Sequence, residues 1–227
     1  MPGAAQSLRF LPVSLFGGVM GLAGLGLACR SATPVLPVKS PLPEIWIALA
    51  VLALALLLPA YVLKALRHPQ AVREEFTNPA LLGFCGTLPV ALTLVAGGIA
   101  PYAAGLADAL WWAGVALLCA FQLWALARWL PGGLTLAQVN GGWMILLVGG
   151  IVVPSSGLAL GHPEVSAYLF GVSAIAAPFV MGLVLYRMLF GPPLPEAMRP
   201  TWFILLVPPA LVYANGAALS GGSAGVF

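Results

Sequence analysis

Side chains that could carry out chemistry are few in this sequence and lie far apart. His68 and His162 are predicted to lie in loops, and neither has a second ligand at the spacing of a metal site. The three cysteines stand singly in apolar segments without a Cys-x-x-Cys pair, which is typical of buried free thiols: Cys29, Cys85 and Cys119. The sequence therefore predicts no metal site and no cofactor.

The acidic residues do not form a catalytic pair. Asp108 is predicted near the outer end of an apolar segment, and Glu74 and Glu75 follow Arg73 in a cluster expected at the cytoplasmic surface. An enzyme within a membrane would need paired acids, a metal cluster or a nucleophile with its base at depth, and none is visible. We therefore expect a protein that is not an enzyme.

The composition is that of a membrane protein. Of the 227 residues, 61% are hydrophobic and 7% are charged, and the mean hydropathy is +1.04. A soluble domain carries about a quarter charged residues, so this chain has too little polar surface to cover a globule. The net charge of +3 is small and lies in loops, which indicates contact with membrane lipid and no nucleic-acid partner. We predict an all-α polytopic membrane protein.

Seven apolar stretches are long enough to cross a membrane as helices, which takes about twenty residues. We number them as spans one to seven and predict a single transmembrane domain over residues 1–227. The predicted spans are 9–29, 43–66, 79–99, 102–129, 140–160, 165–190 and 199–219.

Basic residues are concentrated in alternate loops, which sets the predicted orientation. They follow spans two and four and flank the link from span six to span seven: Lys64, Arg67, Arg73, Arg128, Arg187 and Arg199. Arg30 and Lys39, between spans one and two, are exceptions. By the positive-inside rule we expect a cytoplasmic N-terminus in a multi-pass protein of the cell (inner) membrane.

Odd and even spans differ in the residues that let helices bend and pack closely. Every odd span contains a proline and three of the four are rich in glycine, whereas span two is rich in leucine and alanine and span four in bulky aromatic residues. Proline and glycine are tolerated where protein or a water-filled cavity surrounds a membrane helix. We therefore predict helical hairpins with the odd spans as an inner, pore-lining layer and the even spans outside. The alternative is that both residues are simply commoner in membrane helices than in soluble ones.

Four segments carry a resemblance to a known family. They are "LPVSLFGGVMGLAGLGLACR", "FCGTLPVALTLVAGGIAPY", "WMILLVGGIVVPSSGLALG" and "RPTWFILLVPPALVYANG". They resemble the first, third, fifth and seventh helices of the tellurite-resistance and dicarboxylate-transporter family, the TehA-type group related to the plant slow anion channels. The resemblance implies five helical hairpins around a central pore, usually in a homotrimer, passing small anions such as the oxyanion tellurite or dicarboxylates. It also implies that Pro208 and Pro209 bend an inner helix.

The chain departs from that family in its number of helices. The family has ten, whereas seven are predicted here, so we expect a chain truncated after the seventh helix. The family's pore-plugging phenylalanine belongs to the ninth helix, and no gate residue is therefore assigned. The alternative function for such a chain is that of a non-conducting membrane assembly subunit.

The residues of the odd spans favour a channel-like conduit over a carrier. A dicarboxylate carrier should offer a cationic binding residue in the inner layer, and these spans show none away from their ends, where Arg9 and Arg199 lie. The alternative is that the family's remaining helices hold such a residue. Helix ends and backbone dipoles can supply positive potential for an anion, so a neutral conduit would select weakly and by size.

Nine residues of the odd spans are predicted to face the conduit. They are Phe16, Gly17, Gly21, Thr87, Pro89, Gly150, Pro154, Thr201 and Pro208. For each of them, helix packing is the alternative role. Ser155 and Ser156, which follow a proline, are expected to satisfy backbone groups that the proline frees, with contact to passing anions as their other possible role.

Overall fold

The computed structural model describes residues 8–33 and 40–221, and the regular secondary structure of these residues is entirely helical. Within these two ranges, six helical stretches are long and apolar enough to cross a membrane. They are Val13–Ala32, Leu42–Arg67, Pro79–Ile99, Ala104–Trp129, Pro163–Phe190 and Met198–Leu219. The predicted class, an all-α polytopic membrane protein, is confirmed.

Spans one, three and seven change helix type along their length. Span one is a 3-10 turn, Val13–Leu15, followed by the α-helix Phe16–Ala32. Span three consists of the α-helix Pro79–Leu82, the 3-10 turn Gly83–Gly86 and the α-helix Thr87–Ile99. Span seven begins as a 3-10 helix, Glu196–Leu206, and continues as the α-helix Val207–Leu219. Pro208 and Pro209 therefore lie in the first turn of an α-helix. Backbone N–H groups in that turn have no partner within the α-helix, so the two prolines cost it few hydrogen bonds.

The predicted fifth span is not one continuous helix. Within 140–160 two short α-helices, Gly142–Leu147 and Pro154–Gly157, flank a 3-10 turn, Gly149–Val152. The backbone leaves helical geometry at Val148, where φ is −110° and ψ is 3°. Most residues from 140 to 157 are buried, so neighbouring helices shield this irregular backbone from lipid.

Neighbouring odd spans pack against one another in chain order. Span three contacts both span one and span five, and span five contacts span seven. Each even span packs against the odd span before it. In span three 83% of the most apolar stretch is buried, against 22% in span two, so span three lies at the centre of the described fold.

Glycines in span three allow span five to approach closely. A Cβ at Gly86 would lie 2.9 Å from the Cα of Leu146, and a Cβ at Gly97 would lie 2.8 Å from the Cβ of Ser156. Two carbon atoms in van der Waals contact lie about 3.5–4.0 Å apart, so a larger residue at either position would push the spans apart. At these two positions glycine serves helix packing.

Arg30 joins three spans at the C-terminal end of span three. Its guanidinium donates to the Gly98 carbonyl oxygen at 3.1 Å and to both carboxylate oxygens of Glu44 at 3.0 Å. The Tyr102 hydroxyl donates to the same carboxylate at 2.6 Å, and this hydrogen bond raises the pKa of Tyr102 above its ordinary value. Arg30, an exception to the charge pattern, is thus a structural residue that satisfies carbonyls at a helix end.

Candidate functional site

The nine predicted conduit residues differ widely in exposure. Gly21 is exposed, and Gly17 and Thr201 are half-buried. The other six are buried: Phe16, Thr87, Pro89, Gly150, Pro154 and Pro208. Their position on a conduit stays a prediction, and their contacts define what each residue does within the bundle.

Three of the buried positions hold neighbouring helices together. Phe16 packs edge-on against Tyr61 of span two, with ring centroids 5.7 Å apart. The hydroxyl of Thr87 donates to the Val13 carbonyl at 3.0 Å and so joins span three to the start of span one. A Cβ at Gly150 would lie 2.7 Å from a backbone oxygen of span six. Helix packing therefore accounts for the residue type at each of these positions.

Thr201 and the three prolines lie where the backbone changes course or meets another span. Pro154 is the first residue of the second short helix of span five, and Pro208 is the second residue of the α-helix of span seven. The carbonyl oxygen of Pro89 faces span four, 2.8 Å from where a Cβ of Gly114 would lie. The Thr201 hydroxyl donates at 2.6 Å to the carbonyl three residues earlier.

One face of span one is open. Gly18, Gly21, Leu25 and Ala28 are exposed, and their spacing of three or four residues places them in one stripe along the helix. Among the residues that the structure describes, none would lie within 4 Å of a Cβ at Gly18 or Gly21. Other faces of span one pack against spans two and three. This open stripe is therefore the part of span one that is available to line a conduit.

Spans five and seven are joined by a buried amide that the sequence analysis did not single out. Asn215 is 6% exposed, and its Nδ2 donates to the Ile151 carbonyl at 2.6 Å. The Oγ of Ser155 lies 3.0 Å from Nδ2 and 3.1 Å from Oδ1 of the same amide. Ser156 faces span three and donates to the Val153 carbonyl at 3.5 Å. An asparagine of another span thus satisfies the Ile151 carbonyl. The sequence feature that could have indicated this contact is an asparagine within an apolar run.

A buried ion pair lies where span two ends. The Nζ of Lys64 is 2.8 Å from the Oε1 of Glu75, and Lys64 also donates to the Leu11 carbonyl at 2.8 Å. The Tyr61 hydroxyl donates to the Oε2 of Glu75 at 2.6 Å. The Lys64 side chain is 2% exposed and the Glu75 side chain 12%. The prediction of a surface cluster is therefore wrong for Glu75, which comes from a short helix, Pro69–Thr77, and neutralises a buried lysine.

His162 is paired, whereas the sequence analysis placed it alone in a loop. Its Nε2 lies 2.5 Å from the Oδ1 of Asp108, and its ring stacks on Trp111 with centroids 4.7 Å apart. Within residues 8–33 and 40–221, no group of three or more His, Cys, Asp or Glu side chains is placed to hold a metal ion. The contacts of His162 with Asp108 and Trp111 instead join span four to the start of span six.

Arg187 is a buried cation in the last turn of span six. It is 3% exposed, and its Nη1 donates to the carbonyl of Pro192 in the link to span seven. Its Nε has no hydrogen-bond partner among the residues that the structure describes. A cation near a helix C-terminus interacts favourably with the helix dipole. Arg187 therefore fastens the link between spans six and seven to the end of span six.

The fold and these contacts define a multi-pass helical membrane protein in which spans rich in proline and glycine lie side by side. Over residues 11–227 the chain matches the SLAC1 family, described as voltage-dependent anion channel, and it belongs to that family. The resemblance to the group that includes the plant slow anion channels is confirmed.

Two relatives give the extent of the similarity. The chain is 26% identical over 223 residues to the S-type anion channel SLAH3 of Arabidopsis thaliana. The aligned region covers 94% of this chain and 35% of that protein. The chain is also 25% identical over 208 residues to an uncharacterized transporter, MJ0762, of Methanocaldococcus jannaschii. That aligned region covers 86% of this chain and 61% of the transporter. The chain therefore spans less than two thirds of the length of either relative.

Proposed function

We propose that the protein moves small anions across the membrane through a conduit lined by its odd-numbered spans. The observation that carries this proposal is the match to the anion-channel family over residues 11–227. The packing supports it, because the odd spans contact one another in chain order and the even spans pack against them. Broken and bent helices in a membrane are tolerated where they are buried in protein or line a water-filled cavity, and span five is such a helix.

The proposed conduit is neutral. The open stripe of span one is made of small and apolar residues, and the nearby cations Arg30 and Lys64 are engaged with the carboxylates of Glu44 and Glu75. An anion would then meet hydroxyl groups, amides and backbone dipoles in place of a fixed charge. The lack of a fixed charge favours a channel-like path over a carrier. The anions that it would pass include oxyanions such as tellurite, or dicarboxylates.

The proposal includes an orientation and an assembly. The N-terminus would lie in the cytoplasm, in the cell (inner) membrane, because Lys and Arg are concentrated in the loops that this orientation places inside. The pairing of Arg30 with Glu44 supports this orientation, since it gives the basic residue in an outer loop a structural role. The family resemblance favours a homotrimer.

The test is anion flux in liposomes that contain the purified protein. We expect chloride and nitrate efflux above that of protein-free liposomes and no increase in potassium efflux. Flux of tellurite and of succinate, measured in the same way, defines the range of anions that pass. Flux equal to that of protein-free liposomes for every anion would overturn the proposal and favour a non-conducting assembly subunit. The mass of the detergent-solubilised assembly tests the homotrimer separately.

A further inference from the structure

We propose that the hydroxyl of Ser155 donates a hydrogen bond to anions on this path and determines which anions pass, with Asn215 as the residue that positions it. The inference rests on the proposed function, because it assigns a selectivity residue to the same conduit. It goes further by naming the atom that an anion contacts.

Ser155 is the more accessible of the two serines that follow Pro154. Ser155 is half-buried, whereas the adjacent Ser156 is 0% exposed. Ser155 faces Asn215 of span seven, while Ser156 faces Gly97 of span three. Of the two serines that follow Pro154, Ser155 is therefore the one that a solute beside spans five and seven can reach.

The Asn215 amide has enough donors to serve both Ile151 and Ser155. An asparagine amide has two N–H groups. One donates to the Ile151 carbonyl at 2.6 Å, and the other can donate to the Ser155 Oγ at 3.0 Å. The hydroxyl of Ser155 then keeps its own hydrogen, for which the acceptor in the structure is the Asn215 Oδ1 at 3.1 Å. That O–H can turn from Oδ1 to an anion without breaking the bond between Asn215 and Ile151.

A hydroxyl donor on the path affects strongly hydrated anions most. An anion that leaves water must replace its lost hydration with donors on the path. Chloride is more strongly hydrated than nitrate, so it depends more on each donor. The amide behind Ser155 strengthens the hydroxyl as a donor, because hydrogen bonds in a chain polarise one another. Loss of the hydroxyl should therefore hinder chloride more than nitrate.

The experiment compares Ser155→Ala with Ser156→Ala, a matched change one residue along the chain. The purified proteins are reconstituted in planar bilayers, and the nitrate-to-chloride permeability ratio is taken from the reversal potential, beside the total current. We expect Ser155→Ala to raise this ratio about threefold, the scale of one net hydrogen bond. Ser156→Ala should leave the ratio unchanged, and Ser155→Thr, which keeps a hydroxyl, should retain the wild-type ratio.

Asn215 is tested through its coupling to Ser155. We expect Asn215→Ala to raise the ratio in the same direction, and the double variant Ser155→Ala with Asn215→Ala to raise it no further than Ser155→Ala alone, because the amide acts through the hydroxyl. If Asn215→Ala does not fold, as judged by its thermal unfolding in detergent, the Ser155 and Ser156 variants still decide the inference.

Two results would overturn this inference alone. One is a Ser155→Ala protein with reduced current and the wild-type ratio, since the serine would then only pack. The other is an equal shift in Ser156→Ala, which would trace the effect to packing after the proline. A wild-type protein without anion current would instead overturn the proposed function, and this inference with it.

Discussion

Lys64 and Glu75 form a buried ion pair, with 2.8 Å between Nζ and Oε1, that joins the end of span two to the short helix Pro69–Thr77. The same two side chains hold the start of span one. Lys64 donates to the Leu11 carbonyl at 2.8 Å, and Glu75 accepts from the Val13 N–H at 3.3 Å. Span one carries the open stripe. This ion pair therefore links the short helix Pro69–Thr77 to the position of the proposed conduit.

Removal of one member of this pair should destabilise the protein. We expect Glu75→Gln to lower the free energy of unfolding by about 3 kcal/mol, because it leaves the Lys64 ammonium buried without a counter-charge. The double variant Lys64→Met with Glu75→Gln should lose less than the sum of the two single losses. Unfolding in detergent measures these changes, and Glu74→Gln, at the exposed neighbouring residue, is the control that should have no effect. Strict additivity of the two single losses would contradict the coupling.

Close helix packing predicts opposite outcomes for two glycines of the odd spans. Gly86→Ala should lower the free energy of unfolding by about 1–3 kcal/mol, because the new Cβ would lie 2.9 Å from the Cα of Leu146 and the backbone would have to move. Gly21→Ala adds a methyl group with no described residue within 4 Å, so stability should stay equal or rise. Thermal unfolding of the two variants is the measurement. Equal losses would mean that the contact of span three with span five is not the cause.

Hydropathy alone could predict the long helices, because length and apolarity decide whether a segment can cross a membrane. The apolar run predicts span two at 43–66, and its helix runs over Leu42–Arg67. The same reasoning could not predict the break in span five at Val148, since two glycines and a proline in an apolar run indicate an irregular helix but not where it bends. Burial by neighbouring spans decides that position, and it is not visible in the local sequence.

The contacts at the candidate site were largely beyond sequence reasoning because they join distant residues. Asn215 and Ile151 are 64 positions apart, and their hydrogen bond depends on how spans five and seven face each other. Lys64 and Glu75 are 11 positions apart, yet the charge pattern predicts Lys64 only as a basic residue of the link after span two and Glu75 as part of a surface cluster. Their pairing follows from the turn between span two and the helix after it. The residue types were visible in the sequence, but their partners were not.

The fork of hydrogen bonds made by Arg30 predicts that lysine cannot replace it. Arg30→Lys keeps the charge, but an ammonium group cannot reach the Gly98 carbonyl and both oxygens of Glu44 in one planar fork. We expect a loss of about 1 kcal/mol in the free energy of unfolding, a modest value because the pair is partly exposed. Arg67→Lys, at an exposed arginine, is the control. If the two variants unfold alike, Arg30 acts through its charge alone.

The open stripe of span one predicts where a larger side chain should obstruct anion flux. Gly21→Leu places a bulky group on an exposed face, where no described residue lies within 4 Å of the new Cβ, so the protein should fold normally. Its anion flux in liposomes should fall by roughly tenfold, because the narrowest part of a pore governs passage. Ala55→Leu is the matched control, since Ala55 is also an exposed small residue, in span two of the proposed outer layer. It should leave both folding and flux unchanged. If Ala55→Leu reduces flux as much as Gly21→Leu, the stripe of span one is not the lining of the conduit, and the assignment of odd spans to the inner layer fails with it.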